Sequence, residues 1–412
     1  MLARFTPPSI RAALAGATVT MIASACAAPE AETPAVVSQS AAAVSRSAPC
    51  AVDGPRELLI TDPRVVGDAM ARDGGPWSFE HLVTAMTPSG MTPSAFVLSW
   101  LEQWDSQASV NGFPVATTSE MRTQVICPWI IASGGSCDEK SFSATELDLR
   151  RAPFTLVAIV NRIDLRGNGR DRATAGEGRL VFGIAGRAFT TIFEYALPAG
   201  DDGVLGWATA WHDLTGAGDA KSFGPAYRAA LAKLTEKFAG KNAFPGRPNG
   251  SALNQLRTNE IGIVPAWNLR EFSLDRRGTL QITTTKQTPD GSLAASKALT
   301  SFLRTNRAGV ISGDYEVPGA WLGGESFEPF FWNPGDLAAS DEPLRKAFAL
   351  NTCNGCHTSE TNTGFFHVSP TGDVSTWLRD VDLPRRVTDL RGLVCEDAPD
   401  LERAALPRAR VH

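Results

Sequence analysis

Charge of one sign is scarce in this chain. Its 39 lysines and arginines nearly balance 44 aspartates and glutamates, leaving a net charge of −5 over 412 residues. No basic cluster is interleaved with aromatics, which excludes nucleic acid as a partner. Methionine is missing beyond residue 121, and histidine occurs only five times. No G-x-x-x-x-G-K-[ST], H-E-x-x-H or G-x-S-x-G string occurs. The P-loop, the zinc-protease helix and the serine-hydrolase elbow therefore fall away as anchors for a function. The N-terminal apolar run, Ala12 to Ala25, is shorter than the ~20 residues that span a bilayer.

What is present is a sizeable core. Hydrophobic residues make up 43% of the chain and tryptophan occurs ten times, enough for one long domain or two that share an interface. Phe79, Leu82, Val83 and Met86 fall at helical spacing. After the N-cap and N1 pair Thr92-Pro93, Phe96, Val97, Trp100, Leu101 and Trp104 repeat that spacing. Phe154 to Leu165, Arg179 to Gly186 and Ala188 to Leu197 read as strands, and Trp267 to Leu274 with Thr279 to Thr285 reads as a hairpin around Asp275-Arg276-Arg277-Gly278. Helices are expected from Pro225 to a stop at Gly240 and around Ala295 to Arg304. Adjacent strands at hairpin spacing favour an α+β fold over a doubly wound sheet, with a helical N-terminal part and an antiparallel, strand-rich middle.

The chemistry concentrates in Cys353-Asn354-Gly355-Cys356-His357. Two thiols three positions apart with an imidazole beside the second form a C-x-x-C-H string, which resembles the haem-attachment site of c-type cytochromes. The resemblance implies covalent haem c on Cys353 and Cys356, with His357 as the proximal iron ligand. A helix capped by Ser340 or Asp341, with Pro343 in its first turn and Leu344, Ala347 and Phe348 on one face, is expected to run into Cys353. Small cytochromes supply a later methionine as sixth ligand, and only 55 residues, none of them methionine, follow His357. His367, in a loop with Phe365 and Phe366, is the nearest alternative. His81, Met86, Met91 and His212 are long-range candidates. The same residues, Cys353, Cys356, His357 and His367, make a Cys2His2 metal set, although the adjacent Cys356 and His357 are cramped for tetrahedral zinc. A cofactor-free thiol pair is the third reading.

The N-terminus points to export. Arg4 and Arg11 precede the apolar run, and Ala23-Ser24-Ala25-Cys26 resembles the lipobox of bacterial lipoproteins. That resemblance implies a lipid on Cys26 and, with Ala27 following it, the periplasmic side of a Gram-negative outer membrane. Ordinary cleavage after Ala23-Ser24-Ala25 is the alternative. Residues 27–49 have no aromatic side chain and read as a flexible tether. The expected organisation is a signal peptide over 1–25, a lipidated tether over 26–49, a globular domain over 50–335, and a helix-plus-loop haem segment over 336–412 packed on it. Setting aside Cys26 and the motif leaves Cys50, Cys127, Cys137 and Cys395 of the seven cysteines, an even number suited to disulfides outside the cytoplasm. The Gly-Gly-Ser turn favours Cys127 with Cys137, so Cys50 with Cys395 would staple the two ends.

Two further strings carry less. Asn161-Arg162-Ile163-Asp164 resembles the guanine-reading N-K-x-D of GTPases, but arginine replaces lysine and no P-loop accompanies it, so no nucleotide is expected. The loop from Asp164 to Asp171 spaces oxygen ligands as calcium sites do, with intervening arginines that favour a solvated turn. Two functional classes follow: a membrane-tethered mono-haem protein with a redox partner protein, or a disulfide-stapled envelope lipoprotein that binds or supports without a cofactor.

Overall fold

The computed structural model describes residues 50–396 except 107, 138–145, 168–173, 202, 265–266, 328–331, 333–336, 338–340 and 359. The expected leader, Cys26, the tether and Ser340 lie outside the described residues. The strands are β1 (Leu59–Ile60), β2 (Ala108–Val110), β3 (Phe113–Val115), β4 (Phe154–Arg162), β5 (Thr174–Ile184), β6 (Phe189–Pro198), β7 (Leu253–Ile261), β8 (Trp267–Leu274), β9 (Leu280–Thr283) and β10 (Glu325–Phe327). Eight of them form one sheet in the order β1-β4-β5-β6-β7-β8-β10, with β9 also on β8, while β2 and β3 make a separate hairpin. Every ladder in the large sheet is antiparallel. With helices α1 (Phe79–Met86), α2 (Pro93–Leu101), α3 (Gly203–His212), α4 (Pro225–Ala239), α5 (Lys297–Thr305), α6 (Glu342–Ala349), α7 (Cys353–His357) and α8 (Leu383–Val394), the fold is α+β.

The period-two alternation of a strand sorts side chains onto two different faces. On the first face Leu180, Phe182 and Phe193 join Phe79, Trp100 and Trp104 of the N-terminal helices in the main core. Phe79 stacks on Phe154 at 4.4 Å, and Trp104 on Phe272 at 5.2 Å. The helices start where their caps are: Ser78 Oγ accepts from the His81 amide and Thr92 Oγ1 from the Ala95 amide, each at 3.1 Å. The second face carries Val160, Val181 and Ile192 beside Arg162, Arg179 and Arg257, and the C-terminal residues cover it.

Several expected boundaries move. The strand begun at Phe154 ends at Arg162, where a 3-10 turn over Ile163–Leu165 takes over. β5 starts at Thr174, five residues before the expected Arg179. β7, α3 and α8 were not expected at all. The described residues of the segment expected to pack on the globular domain, 336–412, belong to one compact unit with the rest of the chain from Cys50 onward. Its reason is the second face of the sheet, which would otherwise leave charged and apolar side chains uncovered.

Candidate functional site

The helix expected to deliver Cys353 is interrupted. α6 stops at Ala349, and Thr352 leaves helical geometry at φ −110° and ψ 152° to cap α7. Thr352 Oγ1 donates to the Ala349 carbonyl at 2.7 Å and accepts from the Gly355 amide at 3.3 Å and from Trp332 Nε1 at 2.7 Å. A β-carbon on Gly355 would lie 2.1 Å from the Ala349 oxygen, so only glycine lets α7 pack this closely on the end of α6.

α7 is buried throughout, with Cys353 0%, Cys356 2% and His357 6% exposed. Both cysteines are free thiols. The Cys353 amide donates to Thr288 Oγ1 at 2.9 Å, and its side chain packs against Trp267 and Leu269. Burial pushes the Cys353 thiol up to about 12, with the Glu271 carboxylate adding to the effect. Burial and then Asp382 raise Cys356 as well. Both therefore sit as protonated thiols at neutral pH rather than as thiolates.

His357 is placed for a different task. Its Nδ1 lies 2.8 Å from the Phe365 carbonyl oxygen. Because a carbonyl can only accept, Nδ1 carries the proton and Nε2 holds the lone pair. Among the described residues Nε2 has no hydrogen-bond partner. Burial lowers His357 to about 4, so the ring is neutral at pH 7. The Phe365 carbonyl is itself positioned: Asn259 Nδ2 donates to it at 2.7 Å, and Trp267 Nε1 donates to Asn259 Oδ1. Phe365 adopts a left-handed φ of 69°, a strained backbone for a bulky residue, and its amide returns a hydrogen bond to the His357 carbonyl at 3.1 Å.

His367 meets this group from the following loop. Its ring centroid is 4.6 Å from that of His357. Nε2 lies 3.4 Å from Cys356 Sγ, and Nδ1 lies 3.2 Å from Ser375 Oγ. The long-range candidates are elsewhere. Met86 is buried in the main core and Met91 packs against it. His81 pairs with Glu236 at 3.0 Å, and His212 with Glu57 at 2.9 Å.

His357 and His367 share a cavity of about 80 Å³ between the second face of the sheet and the covering segment. Four buried arginines line it, and sequence reasoning missed them as a group. Arg162 pairs with Asp164 at 2.9 Å, Arg179 with Glu177 at 2.7 Å and Glu194 at 3.1 Å, Arg257 with Glu194 at 3.1 Å and Glu271 at 3.0 Å, and Arg386 with Asp382. Burial, then the like charge of Arg162, pulls Arg386 down to about 10, and its Nε is buried without a partner. Asp164 is held by Arg162 and Arg385, so its carboxylate is committed to guanidinium groups and not to the calcium loop considered above, whose residues 168–171 lie outside the described residues. Glu177-x-Arg179 in β5 and Arg257-x-Asn259 in β7 place polar side chains at period-two spacing, a local hint of one strand face, but no sequence pattern joins the four arginines.

The donor set matches covalent haem in kind: two unpaired thiols, one imidazole with a fixed tautomer, a second imidazole beside it, and guanidinium groups for carboxylates. The space does not yet match. The cavity is about 80 Å³, far short of a macrocycle, so a haem there would need covering residues such as His367, Val368 and Trp377 to shift from the sheet. For tetrahedral zinc the donors are too dispersed. Among the described residues, the group of three whose ligand atoms come within 4.8 Å of one another is Cys50, His212 and Cys395, not the C-x-x-C-H residues. Cys50 and Cys395 form one disulfide and Cys127 and Cys137 another, with Cα separations of 5.7 and 5.4 Å. The chain matches no protein-family model, no curated protein and no solved structure.

Proposed function

We propose that this chain is an exported, membrane-tethered mono-haem protein of the c type, serving electron transfer with a partner protein in the cell envelope. The observation that supports it most is His357: a neutral imidazole, its Nδ1–H committed to the Phe365 carbonyl, its Nε2 unpartnered at a cavity. A metal-ligating histidine almost always donates its other ring N–H to such a carbonyl or to a carboxylate, which fixes the tautomer and the ring. Beside it stand two free thiols, while Cys50, Cys127, Cys137 and Cys395 are bridged.

In this reading Cys353 and Cys356 would hold the haem through thioethers, and His357 and His367 would be the ligands for its iron. The haem supplies reversible one-electron chemistry. The protein's own residues set its surroundings. Trp267 stacks on the His357 ring at 5.7 Å and on the Phe365 ring at 6.0 Å between centroids, an apolar wall that excludes water from the imidazole. Asn259 holds the Phe365 carbonyl and hence the ring orientation. Arg386, with Nε unpartnered, offers a charge-assisted hydrogen bond to a carboxylate. A lipid on Cys26 and the tether over 27–49 would hold the globule at the outer membrane.

The test is a haem-stained denaturing gel of the protein matured in a host able to attach haem. Wild type should carry covalent haem, and Cys353→Ala and Cys356→Ala should each weaken or abolish it, since each removes one thioether. A colourless wild type would overturn the proposal. It would favour the second reading, a disulfide-stapled binding module without cofactor, which the small cavity supports. Cys26→Ala should shift the protein from the membrane to the soluble periplasmic fraction. A wholly soluble wild type would rule out the lipid.

A further inference from the structure

At the opposite end of α8 from the cavity, the Cys50–Cys395 bridge has a neighbour that no structural disulfide needs. His212 Nε2 lies 3.7 Å from Cys50 Sγ, and its Nδ1 lies 2.9 Å from Glu57 Oε2. Glu57 is fully buried, and its other oxygen accepts from the Asp53 amide at 2.7 Å. Sulfur, imidazole and carboxylate thus form a fixed line, while Cys50 is exposed and Cys395 and His212 are half-buried. The other bridge, Cys127–Cys137, has no histidine beside it among the described contacts.

We propose that Cys50–Cys395 is a redox-active disulfide, opened by a dithiol, with His212 as the acid that protonates the leaving sulfur and Glu57 as the residue that positions His212. A thiolate of the dithiol attacks Cys395 Sγ. The S–S bond breaks and its electron pair leaves on Cys50 Sγ, which takes the proton from His212 Nε2. The second thiol of the reductant then displaces Cys395 as the dithiol becomes a cyclic disulfide, and the proton that this thiol sheds restores His212. The Cys395 thiolate takes from solvent the proton that the first thiol released there, so two cysteine thiols result. An imidazolium beside the departing sulfur lowers its thiol pKa, and a better leaving group speeds exchange. Opening the bridge frees Cys50, where the tether joins the globule, from the end of α8.

The experiment is timed reduction of the full-length folded protein with dithiothreitol from pH 5.5 to 8, quenched by alkylation and read by peptide mass spectrometry, with Cys127–Cys137 as internal reference. Cys50–Cys395 should open roughly tenfold faster than the reference at pH 7, and His212→Gln should remove most of that advantage and its pH dependence. Glu57→Gln should shift the pH profile with a smaller loss of rate. His212→Gln opening at the wild-type rate would overturn the proposal. Should that variant fail to fold, the wild-type ratio of the two bridges decides: a ratio near one that does not change with pH overturns it as well.

Discussion

Glu260 shows how burial and pairing compete at a single residue. It is 0% exposed, Trp104 Nε1 donates to it at 2.9 Å and Arg270 Nε at 3.2 Å, yet burial pushes its carboxyl up to about 7. A carboxyl whose folded pKa exceeds its unfolded value contributes stability that is whole below the unfolded pKa and lost as pH rises through the folded one. Stability should therefore fall between about pH 5 and 8, by at most roughly 3 kcal/mol from this group. Urea titrations at the two pH values should show the slope, and Glu260→Gln should flatten it. Glu177 on the second face has the opposite sign: burial opposes its charge, but Arg179, Lys286 and Arg162 together outweigh it and hold the carboxyl down at about 2. Its contribution is present above the usual carboxylate range and lost only as pH falls through about 2.

At the scale of elements, β5 and the loop bearing His367 are fitted by a missing side chain. Gly183 points toward Pro370, and a β-carbon there would lie 2.2 Å from the Pro370 carbonyl oxygen. That loop is closed by a bridge between Val368 and Val374, so what displaces Pro370 displaces His367. Gly183→Ala should cost about 1–3 kcal/mol in stability, as overpacking does. In haem-loaded protein it should alter the absorption spectrum through His367 while leaving covalent attachment intact. An unchanged spectrum would show that His367 is not a ligand. The element most important to the site, β7, was the least legible in sequence. Its Asn254, Gln255, Arg257, Asn259 and Glu260 look like a polar loop, and they are strand residues only because neighbouring strands supply partners such as Glu177, Glu194 and Glu271.

For the whole molecule the two bridges differ mainly in loop length, 345 residues for Cys50–Cys395 and 10 for Cys127–Cys137. In the chain-entropy account the long closure constrains the unfolded chain more, by about 3 kcal/mol beyond the short one. The double Cys→Ser variant of the long pair should therefore lower the denaturant midpoint more than that of the short pair. Equal losses would point to residual order in the unfolded chain.

Local signals sufficed for what depends on neighbours in sequence. The capped helices at Phe79 and Pro93, the hairpin at Asp275 to Gly278 and the C-x-x-C-H string could be read directly, because caps, turns and side-chain periodicity act within a few residues. The α+β class followed from their order. Tertiary structure alone decided where the helix before Cys353 breaks, because Thr352 is drawn out of it by Trp332 and Ala349. It alone decided that His357 presents Nε2, because the acceptor for Nδ1 is a carbonyl held by Asn259 and Trp267. The ring of buried arginines came from four different elements, β4, β5, β7 and α8. Side chains so far apart in the chain have no shared pattern until a sheet and the segment folded across it bring their charges together.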